Sequence, residues 1–249
     1  MRIITRSLFA AAITLASFNS TIADDAADAK AIVDKAIKAL GGADVVKKQG
    51  NAQWSEEGTY YGMGQGLPYE GTYAFSLPGK SRMEIVGVFL IVLDGDKGWM
   101  RTPAGVVDIK GDELKEQKQM LNVGYATSLI PFAKGEKLYT LSLAGDSDVD
   151  GEACVGVNCE RKGFRSVKME FSKKTSLITR ATYTAISAEQ GNKEVSEEAY
   201  YLEWKKEEGV MSPRKMIVKR DGKKFIESKP TKISHPKEID AALFAKPKG

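Results

Sequence analysis

One histidine, His235, and two cysteines, Cys154 and Cys159, are all that 249 residues offer of the side chains that most often hold metal or support nucleophilic chemistry. A single imidazole cannot build a two-histidine metal site, and it has no partner with which to form a conventional nucleophile pair. His235 precedes Pro236 near the end of the sequence and reads as a surface or turn residue. Excess charge of one sign is missing as well. The formal net charge is +4, and setting aside Arg2 and Arg6 of the first 23 residues leaves 4 − 2 = +2. That balance carries no electrostatic argument for nucleic acid. No linker rich in Pro, Ser or Gly divides the chain, so residues 24–249 are expected to form one domain. No catalytic residue, metal or cofactor is expected.

What is present begins with an address. Arg2 and Arg6 precede a short apolar core at residues 7–16, and Thr21-Ile22-Ala23 places small residues where a signal peptidase needs them. Residues 1–23 are therefore expected to be a signal peptide, cleaved after Ala23. The apolar core falls far short of the ~20 residues that span a bilayer, and no later segment is long and apolar enough. No Cys stands at the cleavage point, so the chain carries no sign of being a lipoprotein itself.

Residues 25–40 read as an amphipathic helix with Ile32, Val33, Ala36, Ile37 and Leu40 on one face. Gly41-Gly42 supplies a left-handed stop, and a short continuation is predicted over residues 43–49. The period then changes. Strands are predicted at residues 52–61, 69–76, 81–86, 88–94 and 98–102, with turn residues such as Pro78-Gly79 and Asp94-Gly95-Asp96 between them. One helix interrupts: Leu114, Leu121, Tyr125 and Leu129 recur at helical spacing, with Gln117 the one polar residue on the stripe and Pro131 ending the run. Strands resume at 137–143, 151–161, 165–172, 177–188, 195–205, 213–220 and 224–233, joined by turns such as Asp221-Gly222. Many of these strands are longer than usual, and long strands twist, so the sheet must curl around a core or a cavity. A lone helix in mid-sheet must lay its apolar stripe on that sheet as a lid or a plug.

Several polar patterns read as decoys. Glu56-Glu57 and Glu197-Glu198 lie on predicted strands, so each pair points to opposite faces and is expected to be solvated. Asp146 to Gly151 copies half of a calcium loop, but Val157 stands where a bidentate Glu belongs, and a polar turn is expected instead. Gly62-Met63-Gly64-Gln65-Gly66 leads into a strand and offers no helix N-terminus to an anion. Lys215, Lys219, Arg220, Lys223 and Lys224 read as a solvated hairpin, with peripheral contact to anionic headgroups as the alternative. Cys154 and Cys159, five apart on a continuous strand, would point to opposite faces about 17 Å apart and stay unbridged; a tight turn at residues 156–158 would restore the bond.

A set of segments carries a resemblance. Ala39-Leu40-Gly41-Gly42, Glu160-Arg161-Lys162-Gly163, Val167 through Thr175, Tyr200-Tyr201, Gly209-Val210-Met211-Ser212-Pro213, Asp221-Gly222-Lys223 and Leu243-Phe244-Ala245-Lys246-Pro247 resemble exported proteins of the outer-membrane lipoprotein-sorting (LolA/LolB-like) family, over most of residues 28–247. The resemblance implies a mainly β fold with helices: an unclosed, half antiparallel β-barrel covered by an N-terminal helix and a mid-chain lid helix. It also implies a hydrophobic cavity that in characterised relatives takes lipoprotein acyl chains. The expected function is that of a noncatalytic carrier or binding protein for an acyl chain, lipid or lipoprotein. It would work in the periplasm as a monomer, with Leu114, Leu121, Tyr125 and Leu129 as the ligand-binding face of the lid. The alternative is an envelope protein–protein interaction or sensing module on the same fold. A lipid tail calls for an apolar space of several hundred Å³. N-terminal sequencing of protein recovered from the envelope should begin at Asp24; intact Met1 in the mature protein would contradict the leader reading.

Overall fold

The computed structural model describes residues 18–207 and 209–248, with side chains from Asp25 onward. Most of the expected leader, residues 1–17, lies outside the described residues. The first helix, α1 (Phe18–Ala39), starts ahead of the expected Asp25, since no Gly or Pro precedes it to break the run. Ala29, Val33, Ala36, Ile37 and Leu40 are buried, and Ile32 packs half-buried beside them. Gly41 and Gly42 take φ of 115° and 95°, and Gly42 N donates to Ile37 O at 2.9 Å, which closes the helix where the glycines predicted. The short α2 (Ala43–Lys48) follows.

A first meander then runs through β1 (Asn51–Tyr60), β2 (Leu67–Ser76), β3 (Lys80–Ile85), β4 (Phe89–Asp94), β5 (Lys97–Thr102) and β6 (Gly105–Ile109). The last of these was not anticipated: it is short and mostly exposed, so it lacks the alternation that betrays a strand. Next come α3 (Gly111–Thr127) and α4 (Ile130–Ala133). Leu129 adopts a left-handed φ of 58°, so it ends α3 instead of extending its stripe, and Pro131 sits in the first turn of α4.

A second meander comprises β7 (Thr140–Val149), β8 (Glu152–Glu160), β9 (Val167–Ser172), β10 (Ile178–Ser187) and β11 (Lys193–Leu202). It then passes through a small separate hairpin of β12 (Lys205–Glu207) and β13 (Val210–Ser212) to β14 (Lys215–Arg220) and β15 (Lys223–Ser234). The expected strand across residues 195–205 is broken because Glu203 turns left-handed at φ 55°. Asp146 to Val149 belong to β7 and not to a polar turn; only Asp150-Gly151 turn, and the described residues hold no cluster of metal ligands.

Thirteen strands form one antiparallel sheet in the order β6-β5-β4-β3-β2-β1-β15-β14-β11-β10-β9-β8-β7, with β6 and β7 left as free edges. Its curvature follows from two neighbours on α3. Leu114 lies against Gly98 of β5, where an added Cβ would come within 3.1 Å of Leu114 Cδ1, and Glu116 accepts a hydrogen bond from Ile186 N of β10 at 3.0 Å. Those strands are eight places apart in the sheet, roughly 38 Å along it at ~4.8 Å per strand. A single helix, about 10–12 Å across with its side chains, bridges that distance. The sheet therefore curls around α3 into an unclosed half-barrel, as the resemblance implied.

The concave face of β7–β11 is dry. Val157, Cys159, Val167, Met169, Phe171, Ala181, Tyr183, Ala185, Val195 and Ala199 meet α1, α3 and α4 there. The convex face of the first meander is covered by the C-terminal segment, where Phe244 packs on Ala74, Leu90 and Val92. Cys154 and Cys159 are free and buried on opposite faces of β8, so both thiols are dry without being neighbours. Burial pushes the Cys159 thiol up to about 12.

The convex face also buries a charge. Glu170 on β9 is fully buried, with Arg180 Nε on one carboxylate oxygen and Lys168 Nζ 3.0 Å from the other. Burial alone would raise its pKa, but the hydrogen bond from Arg180 and the adjacent Lys168 ammonium outweigh it and bring the group from 4.5 down to about 2. A carboxylate depressed in the folded state stabilises the fold above its unfolded pKa and loses that contribution as pH falls through the folded one. Thermal unfolding by circular dichroism should thus show the melting temperature dropping between pH 4.5 and about 2. Glu170→Gln should flatten that drop while lowering stability at neutral pH, and an unchanged pH profile would contradict the assignment.

Candidate functional site

Where the two meanders meet, the concave face is only partly filled. Ala52 and Trp54 of β1, Phe75 of β2, Tyr201 of β11, Met216 of β14 and Pro230 of β15 line a cavity of about 260 Å³. Register places these residues on one face: Trp54 pairs with Tyr73, two residues from Phe75, and Tyr201 pairs with Met216. A β-bulge adds to the wall. Gln53 pairs with Ser234 but Ser55 with Thr231, so β15 carries extra chain opposite Trp54, and Lys232 takes φ 49°. Lys232 remains exposed while Ile233 joins the lining, the re-aiming that a bulge provides.

The remaining walls come from outside the sheet. Trp204, Met211 and Pro213 enter from the β12–β13 hairpin region, with Trp204 Nε1 donating to Ile178 O at 3.2 Å. Helix α3 contributes Gly124 and Thr127, and Ser128 follows as its C-cap. Gly124 is an exposed residue at the rim of this lining, and a Cβ built there meets nothing within 4 Å. The cavity is smaller than the several hundred Å³ expected and falls just under the ~300–1,000 Å³ usual for ligand pockets.

The four lid residues singled out by periodicity sit elsewhere. Leu114 packs at Gly98, and Leu121, Tyr125 and Leu129 are buried, with Tyr125 Oη donating to Glu136 Oε2 at 2.7 Å. None of the four lines the cavity. What periodicity missed is a polar face on the same helix. Glu116 accepts from Arg165 Nη1 at 2.9 Å and from Ile186 N. Gln119 donates to Gly163 O and accepts from Arg165 N, and Asn122 accepts from Tyr139 Oη and Arg161 Nη1. These bonds latch the helix to β10 and to the β8–β9 turn.

Two carboxylates expected to be solvated are buried on the concave face. Glu56 Oε1 accepts from Tyr69 Oη at 2.7 Å and Tyr73 Oη at 2.6 Å. Glu197 accepts from Tyr183 Oη at 2.7 Å and Arg220 Nε at 2.8 Å. Strand alternation does send Glu57 and Glu198 to the other face; it does not tell that the inward side is covered. Burial first, then the Glu56 charge, raises both Tyr69 and Tyr73, which stay protonated donors. Tyr73 stacks on Trp54 at 4.8 Å, and Trp54 on Phe75 at 5.2 Å, so Glu56 fixes a ladder of rings that ends as the cavity wall. His235, expected at the surface, is half-buried in the lining with Nδ1 3.3 Å from Asn51 O, and burial lowers its pKa.

Neither a protein-family model nor a curated protein sequence matches the chain. Solved structures do match. A LolA superfamily protein from Nitrosomonas europaea superposes with a TM-score of 0.58 at 13% identity, over 88% of this chain and 97% of that one. A DUF1329 family protein from Desulfovibrio piger superposes with a TM-score of 0.59 at 17% identity, over 87% and 97%. The chain shares the LolA-like fold.

Glu56→Ala would strand two half-buried phenols, each unsatisfied hydroxyl costing up to about 1–3 kcal/mol. Urea unfolding should show a loss of at least about 2 kcal/mol together with altered Trp54 fluorescence. Wild-type stability in that variant would mean that the tyrosines do not depend on Glu56.

Proposed function

We propose that this chain is an exported, noncatalytic binding protein of the cell envelope that holds a single slender apolar ligand, such as one acyl chain, in the cavity beside Gly124. The observation that carries this reading is an unfilled, aromatic-walled space kept between the curled sheet and a latched helix. Each methylene buried there would contribute ~0.8 kcal/mol. The modest volume suits one chain and not a lipid with several. The LolA-like fold supports the reading, since that architecture places helices over an open sheet.

The periplasm is the proposed site of action, with the protein acting as a monomer without nucleic-acid partners. No helix among the described residues is long and apolar enough to cross a membrane. Cleavage after Ala23 would remove only the start of α1 and leave its buried face, Ala29 to Leu40, in place. In this account Leu121, Tyr125 and Leu129 support the lid from within the core and the ligand touches Thr127 and Ser128 instead.

A second reading, docking of a protein partner without transport, draws on the cavity's small size and on Met63, Leu67, Val86 and Val88. These four are exposed at the β1–β2 and β3–β4 connections. Protein purified from its own envelope with no copurified lipid in native mass spectrometry would favour it.

Two of the three tryptophans, Trp54 and Trp204, line the cavity and report on its occupancy. Titration with 1-decanol should perturb their emission. Gly124→Leu should keep or raise the melting temperature, because Leu is the better helix former and its Cβ meets open space, yet abolish the fluorescence response. A Gly124→Leu variant that binds as well as wild type would overturn the site.

A further inference from the structure

Trp204, Thr127, Ser128 and His235 line the apolar cavity, and each has given a proton to the chain's own backbone. Trp204 Nε1 donates to Ile178 O at 3.2 Å, Thr127 Oγ1 to Val123 O at 3.0 Å and Ser128 Oγ to Tyr125 O at 2.7 Å. His235 Nδ1 lies 3.3 Å from Asn51 O, and a carbonyl can only accept, so the ring carries its proton on Nδ1. Burial keeps that ring neutral, which leaves Nε2 a bare acceptor. No hydrogen bond within the described residues reaches Nε2, nor is that atom sealed in the interior as Gln49 Nε2 is. Charge is missing from the same wall. Among the described residues the lining holds no Asp, Glu, Lys or Arg. Lys48, Glu207 and Arg214 border a different space, of about 700 Å³, which His235 also touches.

We propose that the ligand is an uncharged lipid bearing a hydroxyl group, with its chain along the aromatic wall and its hydroxyl hydrogen donated to His235 Nε2. The proposal rests on the reading that the cavity holds an apolar chain, and it adds the chemistry of the head group. A hydroxyl carries the donor that an acceptor-rich wall lacks, and its own oxygen can still accept. Tyr201, in the same lining, keeps its phenol proton, since burial raises its pKa. A carboxylate fits worse on two counts: it brings no proton for Nε2, and its charge meets no cation in the lining. Moving an unpaired carboxylate out of water costs far more than moving a hydroxyl. An ether or a bare hydrocarbon displaces water from the imidazole and returns no hydrogen bond, so the acceptor is left unsatisfied. His235 is thus the residue that reads the head group.

Three probes of equal carbon number separate the possibilities, each titrated by tryptophan fluorescence: 1-decanol, its isomer 1-methoxynonane, and decanoate. Decanol should bind roughly five- to tenfold more tightly than the ether, the worth of one net hydrogen bond. The ether is the more apolar isomer, so a site that reads only hydrocarbon would prefer it. Decanoate should bind at least about tenfold more weakly than decanol. His235→Phe should bring decanol and the ether to within about twofold of each other. Should that variant fail to fold, the unaltered protein still decides, because His235 is the only histidine in the sequence and its ring nitrogens give unambiguous NMR signals. Decanol should shift the Nε2 signal and 1-methoxynonane should not. Equal affinity for the two isomers, or an Nε2 signal that decanol leaves in place, would overturn the hydroxyl assignment and leave the chain-binding reading standing. Decanoate binding as tightly as decanol would overturn the uncharged head group. Failure of all three to bind would instead overturn the reading of the cavity itself.

Discussion

One ladder of backbone hydrogen bonds, between β1 and β15, makes a single sheet of two meanders. The first meander runs outward from β1 to the edge at β6; the second starts at the opposite edge, β7, and works inward until β15 meets β1. The chain must cross from edge to edge between them, and it does so as α3 and α4 over the concave side. Curl, lid and cavity all follow from that route. The cavity sits on the seam itself, walled by Trp54 on one side and Pro230 and Ile233 on the other, and the bulge in the ladder shapes its lining.

Much of this was legible in the sequence. Alternation marked most strands, and glycines at 41, 42, 95 and 222 marked the stops and turns, each with positive φ. The segments resembling lipoprotein-sorting proteins led to the right fold, because hairpin chemistry is local and survives where identity has fallen to 13–17%. The site was less legible. A period-2 pattern says which face a residue points to but not whether that face is covered at that height, so Glu56 and Glu197 read as solvated. A helical stripe finds the side chains that fill a core and says nothing of a space left beside them. Trp204 entered the wall only because Glu203 turns the chain left-handed, which no propensity demands of Glu.

The lid is built for position and not for swinging. Glu116, Gln119 and Asn122, spaced three apart, each satisfy partners on β10 or on the segment from Tyr139 to Arg165. Such a row is strong only while complete, since each member removed strands another buried group. Beside it the cavity is bordered by Gln49 and His235, where α2, β15 and the β12–β13 hairpin meet. The aromatic ladder from Tyr73 through Trp54 to Phe75 gives that pocket a stiff wall anchored on Glu56.

The seam also sets a schedule. A ribosome or translocon delivers β1 early and β15 nearly last, so the newborn N-terminal half carries an unsatisfied strand edge while more than half of the polypeptide is still arriving. Its pairing partner lies about 170 residues downstream, a separation that makes closure slow and leaves the nascent edge open to pairing with other chains. Biogenesis of this protein thus cannot finish progressively from the front; it waits on the final hairpin, and a chain truncated before residue 223 would keep its first meander without the strand that joins it to the second.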